Sequence, residues 1–169
     1  MENQFYNGLK IENSSPNEAD VLPLLELLSE NLEQRFSSSG KDSFTDWDFN
    51  NPKYVFLKAV LDNETVGCGA IRPLSEKVGE IKRMFAKYPR KGIGELILKT
   101  LEEHAEHLGY EELCLETRIA NEQACRFYKK NGYEQIENYG KYVGRQEAIC
   151  FGKKLINTNY PDDSCHEKS

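Results

Sequence analysis

Gly79-Glu80-Ile81-Lys82-Arg83-Met84-Phe85-Ala86, Lys87-Tyr88-Pro89-Arg90-Lys91 and Gly92-Ile93-Gly94-Glu95-Leu96-Ile97-Leu98 are consecutive, and they read as a strand, a short basic loop and the start of a helix. Ile93, Leu96, Ile97, Leu101, Ala105 and Leu108 recur at helical spacing, and Gly109 is a natural stop just past the end. Gly92 and Gly94 carry no side chain, so a ligand can come close to the backbone. The first N–H groups of a helix lack internal partners, and the helix dipole favours an anion there. A pyrophosphate suits that arrangement. From Lys82 to Lys91 stand Lys82, Arg83, Lys87, Arg90 and Lys91 with no acid among them, in a chain of net charge −6. Such a basic island points to a specific anionic ligand, against the competing reading of a solvated charge run. The loop is not a Walker loop, because Glu95-Leu96 follow Gly94 where Lys-Ser/Thr is needed. It lacks the third glycine of a dinucleotide fingerprint.

Upstream, Leu9 to Ile11 suits a first strand. Asn17 to Phe36 reads as a helix that Asn17 can cap, with Leu24, Leu25, Leu27, Leu28 and Leu32 as its apolar stripe. Pro23 is tolerated near the first turn, or marks the true start. A polar loop runs from Ser37 to Pro52, and Phe44, Trp47 and Phe49 suggest that it folds back onto the body. Tyr54 to Val60 and Thr65 to Ile71 read as two strands joined by a turn at Asp62-Asn63-Glu64. Downstream come a short buried strand at Leu113–Thr117, a helix from about Glu122 to Lys130, and strands near Tyr133–Ile136 and Ala148–Lys154. This order implies one α/β domain over residues 1–156 with a mixed sheet, and the polar stretch 157–169 reads as a disordered tail.

The bulk properties narrow the function classes. A chain of 169 residues suits one core rather than two. The acidic balance argues against nucleic acid as a partner. No apolar run approaches the roughly 20 residues that span a bilayer. The N-terminus shows no basic and apolar signal pattern, so no membrane association and a cytoplasmic location are expected. Cys68, Cys114, Cys125, Cys150 and Cys165 show no C-x-x-C spacing, and no metal site is expected. Cys68, Cys114 and Cys150 read as small core residues.

Two blocks together resemble the GNAT superfamily of N-acetyltransferases, from about Tyr54 to Leu155. Pro89 to Gly94 matches the family loop Q/R-x-x-G-x-G/A, except that Pro89 stands at the Gln/Arg position and supplies no N–H. The loop is also about two residues shorter than the family pattern between Met84 and Gly92. Asn121-Glu122-Gln123-Ala124-Cys125-Arg126-Phe127-Tyr128-Lys129-Lys130-Asn131-Gly132-Tyr133 meets each fixed position of N-x-x-A-x-x-[FL]-Y-x-x-x-G-[FY]. The resemblance implies an α/β fold with a mixed, mostly antiparallel central sheet flanked by helices, and acetyl-CoA as co-substrate. It implies that Arg90, Lys91, Gly92, Ile93 and Gly94 hold the pyrophosphate, and that the pantetheine arm lies along Met84, Phe85 and Ala86 between splayed strands. Asn121 would lie by the coenzyme arm and Tyr128 by the thioester sulfur. A homodimer is what the resemblance suggests.

Acetylation of an amine needs a neutral nucleophile and therefore a base, and an acid for the leaving thiolate. Glu80 is the first candidate base, with an exposed strand-end charge or a partner for Lys82 as its competing reading. Glu116 is the reserve. Tyr128 is the candidate acid, against the reading that it only packs. Asn121 can cap the helix and bind ligand as well. Tyr139 and Tyr142 line the acceptor site or simply cover the core. The function expected is transfer of an acetyl group from acetyl-CoA to a primary amine on a small molecule or peptide. The alternatives are a non-catalytic acyl-CoA-binding module and a protein-interaction module using the aromatic loop.

Overall fold

A computed structural model describes residues 8–37 and 40–155. Seven strands form one sheet in the order β1-β2-β3-β4-β5-β7-β6. The strands are β1 (Leu9–Asn13), β2 (Val55–Leu61), β3 (Glu64–Pro73), β4 (Val78–Ala86), β5 (Glu112–Arg118), β6 (Glu134–Ile136) and β7 (Ala148–Lys154). Every neighbouring pair is antiparallel except β4–β5. The expected mixed, mostly antiparallel sheet is what forms. Three helices flank it: α1 (Leu22–Phe36), α2 (Ile93–His107) and α3 (Glu122–Lys130). The tail 157–169, with Cys165 and His166, lies outside the described residues.

Local chemistry sets most of these boundaries. Asp62 and Asn63 both take positive φ, 50° and 66°, in the tight turn between β2 and β3. That is the geometry of a type I′ turn, and Asp and Asn tolerate it better than other side chains. α1 starts later than Asn17. Its N-cap is Val21, with no side-chain capping bond, and Pro23 stands in the first turn. A proline there gives up an N–H that would have had no helical partner. Asn17 instead belongs to the turn before the helix, where its N–H donates to Ser15 Oγ at 3.1 Å.

The two faces of the sheet carry separate cores. α2 lays Ile93, Ile97, Leu98, Leu101 and Ala105 on one face, against Leu57, Val66, Ile71 and Leu113. It lies very close to β3, since a Cβ at Gly69 would meet Met84 Sδ at 2.5 Å and Ile97 Cγ2 at 2.8 Å. α1 covers the opposite face with Val21 and Leu24 on Phe56, Cys68 and Ala70. The loop after α1 does fold back: Phe44 packs edge-on against Trp47 and Phe56, and Trp47 against Tyr54. Phe49 alone of the three aromatics stays largely exposed, at 56%.

One irregularity in the sheet prepares the site. Cys68 pairs with Phe85 but Ala70 pairs with Lys82, so β4 carries an extra residue opposite Gly69. Arg83 absorbs it with φ 56°, making a bulge. The guanidinium of Arg83 donates to Leu25 O and Ser29 Oγ of α1, and the Cys68 thiol donates to Arg83 O at 3.3 Å. Burial pushes that thiol up to about 12, so it remains protonated and available as a donor.

Candidate active site

β4 and β5 pair only at Val78↔Glu112, Gly79↔Leu113 and Glu80↔Cys114, although both strands run on. From Ile81 and Leu115 onward the two strands part. The gap opens a cleft of about 200 Å³. One wall is Ile81 to Met84, and the other is Leu115 to Arg118 with Asn121 and Tyr128. Leu28, Leu32 and Phe36 of α1 close one side. Backbone amides and carbonyls that part from a sheet need other partners. Two larger hollows, about 590 and 490 Å³, lie elsewhere, against His104 and His107 and against Lys58 and Glu64. Neither of them touches the parted strands.

Next to the cleft, β4 leads through Lys87–Lys91 into α2. Gly92 is the N-cap with φ 73°, a conformation in which a Cβ is strained. The first helical hydrogen bond runs from Leu96 N–H to Gly92 O at 3.1 Å, so the amides of Ile93, Gly94 and Glu95 precede any helical acceptor. Gly94 is a different case. A Cβ there would sit 3.6 Å from the Phe127 ring, in ordinary contact, so packing within the chain does not require glycine.

The basic island is dispersed by the fold. Arg83 anchors α1, and Lys87 donates to Glu64 Oε2 at 2.7 Å on the β3 side. Lys82 points to the α1 face, where its ammonium donates to the Tyr142 hydroxyl at 3.4 Å. Arg90 and Lys91 stay exposed at the loop, as does Lys87 beside its Glu64 partner.

Strand alternation places Glu80, Lys82, Cys114, Glu116 and Cys150 on the same face, since Glu80 pairs with Cys114 and Glu116 with Cys150. Glu80 lies at the vertex where the strands part. It is 2% exposed, and each carboxylate oxygen already accepts a hydrogen bond, from Arg72 Nε at 2.9 Å and from the Tyr139 hydroxyl at 2.7 Å. It is neither an exposed strand-end charge nor a partner for Lys82, and it does not line the cleft. Glu116 does line the cleft, half-buried, and burial raises its carboxyl above the ordinary value against the pull of Arg118 and Lys82.

Tyr128 is buried among Phe127, Tyr133 and Phe151. It lines the cleft, and among the described residues its hydroxyl has no hydrogen-bond partner. Burial raises its pKa, so the phenol keeps its proton at neutral pH. Asn121 does two things at once: its Oδ1 accepts from Ala124 N–H at 3.2 Å as the cap of α3, and it lines the cleft.

The segment between β6 and β7 completes the α1 face. Asn138 Nδ2 donates to the carbonyls of Tyr142, Arg145 and Ala148, stapling the loop. Tyr139 thereby reaches Glu80, and Tyr142 reaches Lys82. Among the described residues no cluster of three or more His, Cys, Asp or Glu side chains is placed to hold a metal ion. No helix there is long and apolar enough to cross a membrane.

Comparison with known proteins agrees with this geometry. The model of the acetyltransferase (GNAT) family matches residues 21–133. The chain is 35% identical over 108 residues to the uncharacterized N-acetyltransferase YsnE of Bacillus subtilis, covering 62% of this chain and 72% of that one. It is 30% identical over 138 residues to the IAA acetyltransferase of Azospirillum brasilense, covering 80% and 90%. A Klebsiella pneumoniae candidate acyl-CoA N-acyltransferase superposes with a TM-score of 0.74 at 26% identity, over 88% of this chain and 98% of that one. A GNAT acetyltransferase of Elizabethkingia anophelis, solved with acetyl-CoA bound, shares the fold with a TM-score of 0.64 at 18% identity, over 88% and 99%. The strand-loop-helix unit, the parted strands and the capped Asn121 helix thus lie within or beside a matched stretch of more than half the chain, and the chain belongs to the acetyltransferase (GNAT) family and is an N-acetyltransferase.

Proposed function

We propose that the parted strands β4 and β5 receive the acyl-pantetheine arm of acetyl-CoA, with the pyrophosphate on the amides of Ile93 and Gly94, and that the acetyl group passes to a primary amine on the α1 face. The observation that carries this reading is the separation of β4 from β5 beyond Glu80 and Cys114, beside a glycine, Gly94, that internal packing does not require. Arg90 and Lys91 stand where they can meet phosphate charge. Met84, Phe85 and Ala86 form the β4 lip that would run beside the arm.

When bound, acetyl-CoA supplies a thioester electrophile and a thiol leaving group. Glu116 takes a proton from the acceptor ammonium or amine, directly or through water, and its raised pKa suits a base better than an ordinary carboxylate. The amine nitrogen forms a bond to the acetyl carbon as the carbon–sulfur bond breaks. Tyr128 holds a proton within the cleft and gives it to the departing thiolate. Glu80 acts through Tyr139 as a positioning residue rather than as the base, because both its oxygens are engaged. For the protein-interaction alternative the aromatic loop leaves Phe49 exposed, while Phe44 and Trp47 pack against the body.

Calorimetric titration with acetyl-CoA tests the reading. The wild-type chain should bind saturably, and Gly94→Leu should weaken binding by about tenfold or more, a loss of ~1.4 kcal/mol. Equal binding by both proteins would remove the loop from the site.

A further inference from the structure

Lys82 is the cleft cation that, among the described residues, no carboxylate contacts directly. Three cationic residues line the cleft: Lys82, Arg83 and Arg118. Arg83 is committed to α1, and Arg118 pairs with Glu147 at 3.2 Å. Among the described residues Lys82 has no carboxylate within ion-pair distance, and its one hydrogen-bond partner is the Tyr142 hydroxyl at 3.4 Å. Glu80, the nearest carboxylate on its own strand, is held by Arg72 and Tyr139. A second lysine lies by the same tyrosine, with Lys141 Nζ 5.6 Å from the centre of the Tyr142 ring. The charge of Lys141 is felt at Lys82, as is that of Arg72. Glu80 and Glu116 act on Lys82 in the opposite sense, but neither makes contact with it, so a half-buried ammonium is left without a paired anion.

We infer that the acceptor is an amino acid-like molecule, in which the amine to be acetylated lies a few bonds from a carboxylate received by Lys82 and Lys141. This rests on the acyl-CoA reading above. Lys82 and Glu116 are the next same-face residues beyond the vertex on the two parting strands, and each feels the charge of the other. A molecule spanning them offers its amine to Glu116 and its carboxylate to Lys82. Tyr142, which touches both lysines, has its backbone carbonyl held by Asn138 Nδ2 at 3.1 Å. The acceptor then reverses the bias suggested by the net charge of −6, because the local cleft selects an anion where the whole molecule repels one.

Thiol release from acetyl-CoA, measured with matched acceptor pairs, tests this: glycine against glycinamide, and β-alanine against its amide. The wild-type chain should prefer the carboxylate member by about tenfold or more in kcat/KM, the scale of one hydrogen bond to a charged group. Lys82→Gln should bring that ratio close to unity, chiefly through KM, and the exposed Lys141→Gln should lower it partway. Calorimetry with acetyl-CoA on the same samples separates the two levels of the argument. Absence of acetyl-CoA binding defeats the acyl-CoA reading and this one with it. Binding accompanied by equal or better use of the amides, or a carboxylate preference that survives in Lys82→Gln, overturns this inference alone. Where neither member of a pair turns over, saturation-transfer NMR on the coenzyme-A-loaded protein reads the carboxylate probe directly, and no contact by that probe overturns the inference as well.

Discussion

The Tyr139 hydroxyl donates a 2.7 Å hydrogen bond to Oε2 of Glu80, 59 positions away in the chain, at the point where β4 and β5 part. The bond ties the loop before β7 to the vertex of the cleft. Burial and the neighbouring Glu80 charge raise the Tyr139 pKa, so the phenol stays a donor throughout the neutral range. Tyr139→Phe leaves a buried carboxylate oxygen without this partner and should cost about 1–3 kcal/mol. Thermal unfolding should show a fall of several degrees for a chain of this size.

Glu80 and Glu116 are to be told apart by rate. Glu116→Gln should lower kcat by about 10²–10⁴, the range for removal of a general base. Glu80→Gln keeps the shape and should lower kcat far less, while loosening the Arg72 contact. Steady-state kinetics on both variants decides the matter, and the reverse order would return the base role to Glu80.

The raised pKa of Glu116 also makes a prediction about stability. Its folded value lies above the unfolded reference, so the folded chain holds this proton more tightly. Between the ordinary carboxyl value of 4.5 and the raised folded value, its contribution to stability therefore declines as pH rises. Glu116→Gln removes that penalty. It should melt higher than wild type at neutral pH and converge with it below the unfolded carboxylate value. Paired melting curves across acid and neutral pH read the difference, and a gap that fails to grow with pH would contradict it.

Tyr128→Phe should separate chemistry from packing. The hydroxyl has no partner among the described residues, and the ring contacts with Phe127, Tyr133 and Phe151 survive the change. The unfolding free energy should stay within about 0.5 kcal/mol of wild type, while kcat falls about 10²-fold or more with loss of the acid. A purely structural tyrosine would show neither the fall nor the split.

Much of this site was legible in order along the chain, and much of the rest depended on contacts between distant positions. The strand-loop-helix unit from Gly79 to Leu98 announces itself through glycines placed just before a run of helical periodicity. The Asn121 block does so through a cap and a spaced Ala, Phe and Tyr. Of the two starts the sequence offers for α1, Asn17 has capping chemistry, but the φ of Pro23 and its missing N–H mark the real first turn. The basic island looked like one feature because its members are neighbours in sequence. Strand alternation and the bulge at Arg83 send Lys82, Arg83 and Lys87 to three different places. Glu80 gave no sign of its partners, since Arg72 is across the sheet and Tyr139 is in a loop far downstream. The alternation of Glu80 with Lys82, and of Cys114 with Glu116, was the available signal that Lys82 and Glu116 share a face.

Amide hydrogen exchange with and without acetyl-CoA tests the central claim most directly. Acetyl-CoA should slow exchange together in Ile81–Ala86, in Leu115–Arg118 and at the amides of Ile93–Glu95, because all three surround the parted strands and the head of α2. Protection confined to the hollow beside His104 and His107, or no change on either lip of the cleft, would contradict it.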